Sequence, residues 1–251
     1  MTTTPTLAAA GASIVMGATD EDALTAIKTY QFGQSREPLS VVQDLVAAAA
    51  KDDAQQRALA EKLAALLGSD ATLHAKQFVC RQLAIIGTEE NVPAIAALLG
   101  SAETADMARY ALEPIPGAAA DEALLSALAQ GPAEGRIGAV NSLGARRVEA
   151  AMHALDELAG GADAALSQAA IAALGRIASK DAVAALERIQ SSGRPESRRP
   201  AADALLAAAT ALTRDGQAAE ARHIYRALKG QDQEAPVLAA AEIGLHDLRQ
   251  G

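Results

Sequence analysis

Aromatic side chains are scarce in this sequence, and tryptophan is absent. Aromatic residues make up 2% of the 251 residues, as three tyrosines and two phenylalanines. β-Sandwich cores are rich in aromatic and β-branched residues. No convincing stretch of alternating apolar and polar residues occurs along the chain, although such alternation marks a half-buried strand. The sequence therefore predicts that the protein contains no β-sheet.

Cysteine and histidine are also few. The single cysteine, Cys80, excludes an intrachain disulfide, and its apolar helical surroundings favour a buried thiol over a nucleophile. None of the four histidines has a second ligand at a spacing typical of a metal site. The chain contains no glycine-rich phosphate loop and no serine-centred elbow motif. We therefore expect no catalytic residue, no cofactor and no metal site.

Positive charge is in short supply. The chain has 22 Lys and Arg against 31 Asp and Glu, for a net charge of −9. A nucleic-acid binder needs a basic footprint that replaces the counterions of the phosphates. The nearest basic cluster is Arg194, Arg198 and Arg199, which we interpret as a loop and the start of a helix. Nucleic-acid binding is therefore the least favoured function class.

The amino-terminal residues show no targeting pattern. Residues 8–18 are apolar, but the first basic residue is Lys28, whereas a secretory signal begins with a basic region. The apolar run is also too short to span a bilayer. We expect residues 1–20 to be a disordered leader in a cytoplasmic protein. A degenerate or truncated signal peptide, and with it a secreted or periplasmic location, is the alternative.

Alanine and leucine dominate what is present. The chain has 65 alanines, and alanine is the best helix former. Four segments align as an apolar helix end, a short polar turn and a second helix with Ala or Val and Leu at helical spacing. An apolar anchor falls at Ile86, Leu112, Leu143 and Leu174, in steps of 26, 31 and 31 residues. This spacing fits two short helices and their turns.

Glycine or proline follows each anchor. Gly87, Gly144 and Gly175 come directly after their anchors, and the second segment has Pro114 and Pro116 in this place. Glycine often ends a helix in the left-handed conformation, and proline cannot continue a helix. We therefore expect each first helix to end at these positions.

This pattern resembles the short HEAT repeats that also occur in phycobilin-lyase-like proteins, over roughly residues 53–190. Residues 201–230, with a turn at Asp215–Gly216, resemble a tetratricopeptide-type hairpin. The resemblance implies an all-α, right-handed α-solenoid of antiparallel helix pairs. We expect a repeat array over 21–190, a loop over 191–200, and a helical cap over 201–251 that continues the solenoid.

The resemblance implies a non-enzymatic scaffold that binds a protein or peptide on its concave face. That face would be formed by the second helices, 89–99, 119–129, 148–159 and 180–190, and its acidic surface favours a basic partner. We expect a monomer that contacts no membrane. The candidate interaction residues are Asn91, Arg109, Tyr110, Asp121, Glu122, Arg146, Glu149, His153 and Lys180.

Two alternatives stay open at this point. The arginines near the anchors, including Arg109 and Arg146, could form a ligand-binding ridge, but contacts between repeats are the favoured interpretation. The chain could also be a lyase-like enzyme subunit or a protein-modification factor. HEAT-type deoxyhypusine hydroxylases bind iron through His-Glu pairs, and this sequence contains no His-Glu dipeptide. HEAT-like DNA glycosylases use a basic, aromatic-containing face, which this sequence also lacks.

Overall fold

The computed structural model describes residues 18–230 and 233–250. Within these ranges the chain forms fourteen α-helices and contains no β-strand. The all-α repeat fold expected from the sequence is therefore confirmed. The four anchors, Ile86, Leu112, Leu143 and Leu174, are all fully buried, as their place at the apolar ends of the helices requires.

The helices fall into two compact units, which divide between Ile95 and Ala96. In the first unit, α1 packs on α2 and α3 packs on α4, while α2 contacts both helices of the second pair. Asp52 and Thr72 begin α3 and α4 by accepting hydrogen bonds from backbone amides at 2.9 and 3.1 Å. The helices of this part of the chain are α1 (Ala18–Lys28), α2 (Glu37–Ala49), α3 (Asp53–Leu67), α4 (Leu73–Ile86) and α5 (Val92–Ala96), the last of which crosses the boundary.

The second unit consists of four helix pairs and a final helix. The first helices of successive pairs stack, so that α8 packs on α6 and α10, and α10 packs on α12. The pairs are α6 (Ala105–Leu112) with α7 (Ala118–Gln130), α8 (Ala133–Ala145) with α9 (Met152–Ala159), α10 (Ala164–Ile177) with α11 (Lys180–Ser192), and α12 (Pro195–Arg214) with α13 (Ala218–Lys229). Helix α14 (Ala235–Gln250) packs on α12 and α13.

The glycines after the anchors have a different role from the expected one. Gly144 and Gly175 lie inside α8 and α10 rather than at their ends. A Cβ on Gly144 would lie 2.8 Å from the Cα and Cβ of Ala173, and one on Gly175 would lie 2.7 Å from the carbonyl oxygen of Ala204. These two glycines therefore allow neighbouring first helices to approach closely. The expectation that they adopt a left-handed conformation is wrong.

The left-handed positions lie three residues farther along. Arg147 has a φ of 57° and Ala178 has a φ of 53°. The Arg147 and Val148 amides donate hydrogen bonds to the carbonyls of Gly144 and Leu143, at 3.1 and 3.0 Å, which closes the end of α8. Gly87 ends α4, but its φ of −62° also lies outside the left-handed region.

Three predicted boundaries differ from the structure. Residues 191–200 are not a loop, because α12 begins at Pro195, and proline fits the first turn of a helix, where its missing N–H has no partner to lose. The predicted helix 89–99 consists of a 3₁₀ turn, the short α5 and a second 3₁₀ turn. Residues 18–20, placed in the leader, form the start of α1; residues 1–17 lie outside the described residues.

The close approach of α8 to α10 predicts an asymmetric response to alanine substitution. Gly144→Ala should lower the free energy of unfolding by about 1–3 kcal/mol, because the new Cβ would meet the backbone of Ala173. The matched control is Gly160→Ala in the same unit. Gly160 has ordinary helical φ and ψ, and its Cβ would meet nothing closer than 3.6 Å. That variant should be neutral or more stable by up to about 1 kcal/mol.

Urea unfolding followed by circular dichroism measures both changes. Equal midpoints for the two variants would contradict the close packing of these helices.

Candidate interaction surface

The second helices of the last four pairs expose four of the nine candidate residues. We call the exposed residues of α7, α9, α11 and α13, with the 3₁₀ turn Glu149–Ala151 before α9, the second-helix face. Glu122, Glu149, His153 and Lys180 are all exposed on it. Helix α11 contacts α9, and the guanidinium of Arg188 on α11 pairs with Asp156 on α9. Glu149, His153 and Lys180 therefore belong to neighbouring segments, and Glu122 on α7 lies in the same unit.

The first part of this face is acidic. Helix α7 and residues 149–159 carry five carboxylates and no lysine or arginine. Asp121 and Asp156 are paired with arginines. Glu122, Glu149 and Glu157 are exposed, and Nε2 of His153 lies 3.4 Å from the carboxylate of Glu157. We call these three residues the acidic trio.

Arg146 is a structural residue rather than an exposed contact. Its side chain is 9% exposed and follows the end of α8. Its Nε donates a hydrogen bond to Asp121 at 2.6 Å, and its Nη1 donates to the carbonyls of Leu112, Glu113 and Ile115 at 3.0, 2.8 and 2.5 Å. These carbonyls lie at and just beyond the C-terminal end of α6, where carbonyls have no partner within the helix. Arg146 therefore joins three helices, in agreement with the contact between repeats favoured above.

Arg109 is also held by its neighbours, whereas Tyr110 is free. The guanidinium of Arg109 covers Gly138, leaving no room there for a Cβ, and donates hydrogen bonds to Ser142 at 3.3 Å and Asp106 at 2.5 Å. Tyr110 is 56% exposed. Of these two neighbouring candidates, Tyr110 is the one whose side chain is mainly exposed to solvent.

Asn91 is not a surface residue. It is 5% exposed, and its side-chain oxygen accepts a hydrogen bond from the Thr88 amide at 2.9 Å. It therefore fixes the start of the 3₁₀ turn at Glu89. The expectation that Asn91 is exposed is wrong, because its short amide serves the local backbone.

The sequence did not reveal a groove between α11 and α13. The groove has a volume of about 620 Å³. Leu212 and Ile224 form a buried apolar floor, and the rim carries charged side chains from both helices. Glu187 on α11 lies 3.6 Å from Nε2 of His223 on α13. Predicting the groove would have required knowing how α11 and α13 are aligned side by side. The loop that the sequence wrongly predicts at 191–200 lies between these helices and hides that alignment.

The described residues contain no candidate metal site and no reactive thiol. Among them no group of three His, Cys, Asp or Glu side chains could hold a metal ion. Burial raises the pKa of the Cys80 thiol to about 12, so at neutral pH the thiol is protonated. No helix in the described part of the chain combines the length and the apolar character that a bilayer span requires.

Comparison with solved structures places this geometry in a known class. The archaeal HEAT-like repeats protein from Thermococcus onnurineus NA1 superposes with a TM-score of 0.50 at 13% identity, over 92% of this chain and 97% of that one. The complex of CpcE and CpcF of phycocyanin lyase from Nostoc sp. PCC7120 gives 0.46 at 17% identity, over 97% and 100%. The protein has a HEAT-repeat fold.

Sequence comparison alone shows less. The sequence matches no known family pattern, and no well-characterised protein is significantly similar to it in sequence. At 13% identity the archaeal structure shows a shared fold and not a shared function.

The contacts of Arg146 predict a large loss of stability when it is shortened. Arg146→Met should lower the free energy of unfolding by about 2–4 kcal/mol, because Asp121 and the carbonyls at the end of α6 lose a mostly buried charged donor. Arg214→Met is the control, since that side chain is 78% exposed and lies 3.9 Å from its nearest carboxylate. The control should change stability by less than about 0.5 kcal/mol. A denaturant titration that finds equal losses would remove the structural role of Arg146.

The raised pKa of Cys80 predicts a thiol that is silent in the folded protein. At pH 8 the thiol is almost wholly protonated, and it is 0% exposed, so a disulfide reagent such as Ellman's should not label it. Unfolding in guanidinium should restore the ordinary pKa and give one rapidly reacting thiol for each chain. Rapid labelling without denaturant would contradict the burial of Cys80.

Proposed function

We propose that this protein is a non-enzymatic scaffold that binds a basic protein or peptide segment on its second-helix face. The acidic trio of Glu122, Glu149 and Glu157 is the observation that carries the proposal, because α7 and residues 149–159 contain no lysine or arginine. Stacked helix pairs present an extended surface of this kind, and repeat proteins commonly use it to bind partners. Complementary charge guides such an encounter and fixes its register.

The contacts within the second unit show which acidic residues can be substituted to test binding. Asp121 and Arg146 were both candidates for binding, but each neutralises the other at 2.6 Å. Replacing either one would disturb the joint between α6, α7 and α8 and would confuse binding with folding. The acidic trio can be altered without touching that joint, since its members are exposed.

Two further candidates, His153 and Lys180, are exposed on the second-helix face, whereas Tyr110 is exposed elsewhere. His153 lies between Glu149 and Glu157 on one side of the α9 segment, at spacings of four residues, and Lys180 begins α11. Tyr110 is exposed on α6, the first helix of its pair, and so lies outside the second-helix face. The lyase-like enzyme subunit or protein-modification factor remains the alternative, and the titratable side chains of Glu187, Glu220 and His223 in the groove are where its chemistry would be sought.

The test compares two variants with the same net charge. In the first, Glu122, Glu149 and Glu157 are changed to Gln; in the second, the exposed residues Glu103, Glu196 and Glu242 are changed to Gln. A fluorescein-labelled peptide of alternating Lys and Gly is titrated against each variant at 0.15 M salt. Loss of the acidic trio should weaken binding by about tenfold or more, because three charge contacts of about 0.5–1 kcal/mol disappear.

The control variant should bind within about threefold of the unaltered protein, since only its general charge has changed. If both variants lose affinity equally, binding depends on net charge alone, and the second-helix face is not the binding site. Circular dichroism and urea unfolding of both variants check that neither substitution has altered the fold.

A further inference from the structure

The groove between α11 and α13 has an apolar floor and charged walls. Leu212 and Ile224 are 4% and 1% exposed at its base, and Val183 lies half-buried above them. Ala184 and Ala219 line it with small side chains, which leave the space between the two helices open. A volume of about 620 Å³ lies within the range of sites that enclose small ligands or a few side chains.

The charges on the walls define what kind of group could enter. Glu187 belongs to α11 and Glu220 to the first turn of α13, so the two carboxylates stand on opposite walls. Lys180 stands at the beginning of α11, and His223 neighbours Glu187 at 3.6 Å. Because the two carboxylates outnumber the single lysine of the lining, the groove favours a cationic side chain over an anionic one.

The groove lies on the same face as the acidic trio. Helix α11 is one wall of the groove, and its other side contacts α9 through the pair of Arg188 with Asp156. An extended segment that crosses the second helices would therefore pass from the carboxylates of α7 and α9 to the groove within one unit. A rigid apolar pocket beside a polar rim is the arrangement in which binding energy concentrates in a few anchor residues.

We infer that the groove between α11 and α13 is the anchor site for a bulky aliphatic side chain next to a Lys or Arg in the bound segment. The aliphatic group rests on Leu212 and Ile224, and the basic neighbour pairs with Glu187 and Glu220. This inference rests on the proposed function, since it names a second feature of the same basic partner. It adds a requirement for an apolar residue, which the acidic trio alone does not impose.

Three labelled peptides of equal length provide the probes. The first has two adjacent leucines flanked by lysines within glycine, the second has alanine in place of leucine, and the third has glutamate in place of lysine. Binding is followed by fluorescence anisotropy, and the contacted residues are mapped by amide chemical shifts. The leucine–lysine peptide should bind at least about tenfold more tightly than either of the others, with shifts on α11 and α13.

Filling the groove isolates the contribution of leucine. Ala184→Trp places a large ring in the open space between the helices, and Ala207→Trp places the same ring at an exposed position of α12 that does not line the groove. The first variant should reduce the advantage of leucine over alanine to less than about twofold, and the second should preserve it. Circular dichroism confirms that both variants are folded.

The outcomes separate this inference from the proposed function. If the leucine and alanine peptides bind alike, or if Ala184→Trp leaves the advantage of leucine intact, the anchor site is refuted, although the acidic trio can still attract basic segments. If the leucine advantage depends on the groove but the acidic trio contributes nothing, the anchor site stands and the proposed binding across α7 and α9 fails.

Discussion

The architecture of the second unit depends on how closely its first helices can approach one another. Gly144 lies against Ala173, and Gly175 lies against Ala204, at distances where a single methyl group would collide with a neighbouring backbone. Short contacts of this kind bury little area each, so the array needs many of them, and the abundance of alanine supplies them. The glycines are 31 residues apart, and their partner alanines are also 31 residues apart. One contact is therefore repeated from α8 to α12, and it sets the spacing of the second helices that each first helix carries.

The same spacing of 31 residues explains why the contact between α6 and α8 uses polar groups. Thirty-one residues before Gly144 stands Glu113, and its carboxylate accepts a hydrogen bond of 2.6 Å from Ser142, the residue that corresponds to Ala173. A carboxylate cannot allow the close approach that glycine allows, so this joint needs other contacts. Arg146 supplies them by donating to the carbonyls that end α6 and to Asp121. A polar joint thus replaces a small-residue joint at one step of the same array.

Periodicity made the fold predictable, whereas backbone detail did not follow from it. The anchors were identifiable because a buried leucine must recur once in each repeat, and Leu143 and Leu174 are indeed fully buried. Glycine is ambiguous, since it serves both helix ends and close helix contacts, and here Arg147 and Ala178 occupy the left-handed positions instead. Proline is similarly ambiguous, since it occurs both in loops and in the first turn of a helix, and for this reason the loop predicted at 191–200 is wrong. Burial of Asn91 and Arg146 depends on partners that no sequence pattern specifies.

The proposed binding function uses positions that do not take part in packing between repeats. The first helices pack closely on one another through their glycines and alanines, so substitutions at these positions alter stability. The exposed positions of the second helices do not take part in this packing, so their side chains can vary without loss of the fold. On α7 and α9 these positions are acidic, and between α11 and α13 they frame an apolar groove. Because one stacked array holds both features, the proposed basic segment would gain from each contact without the scaffold having to become ordered on binding.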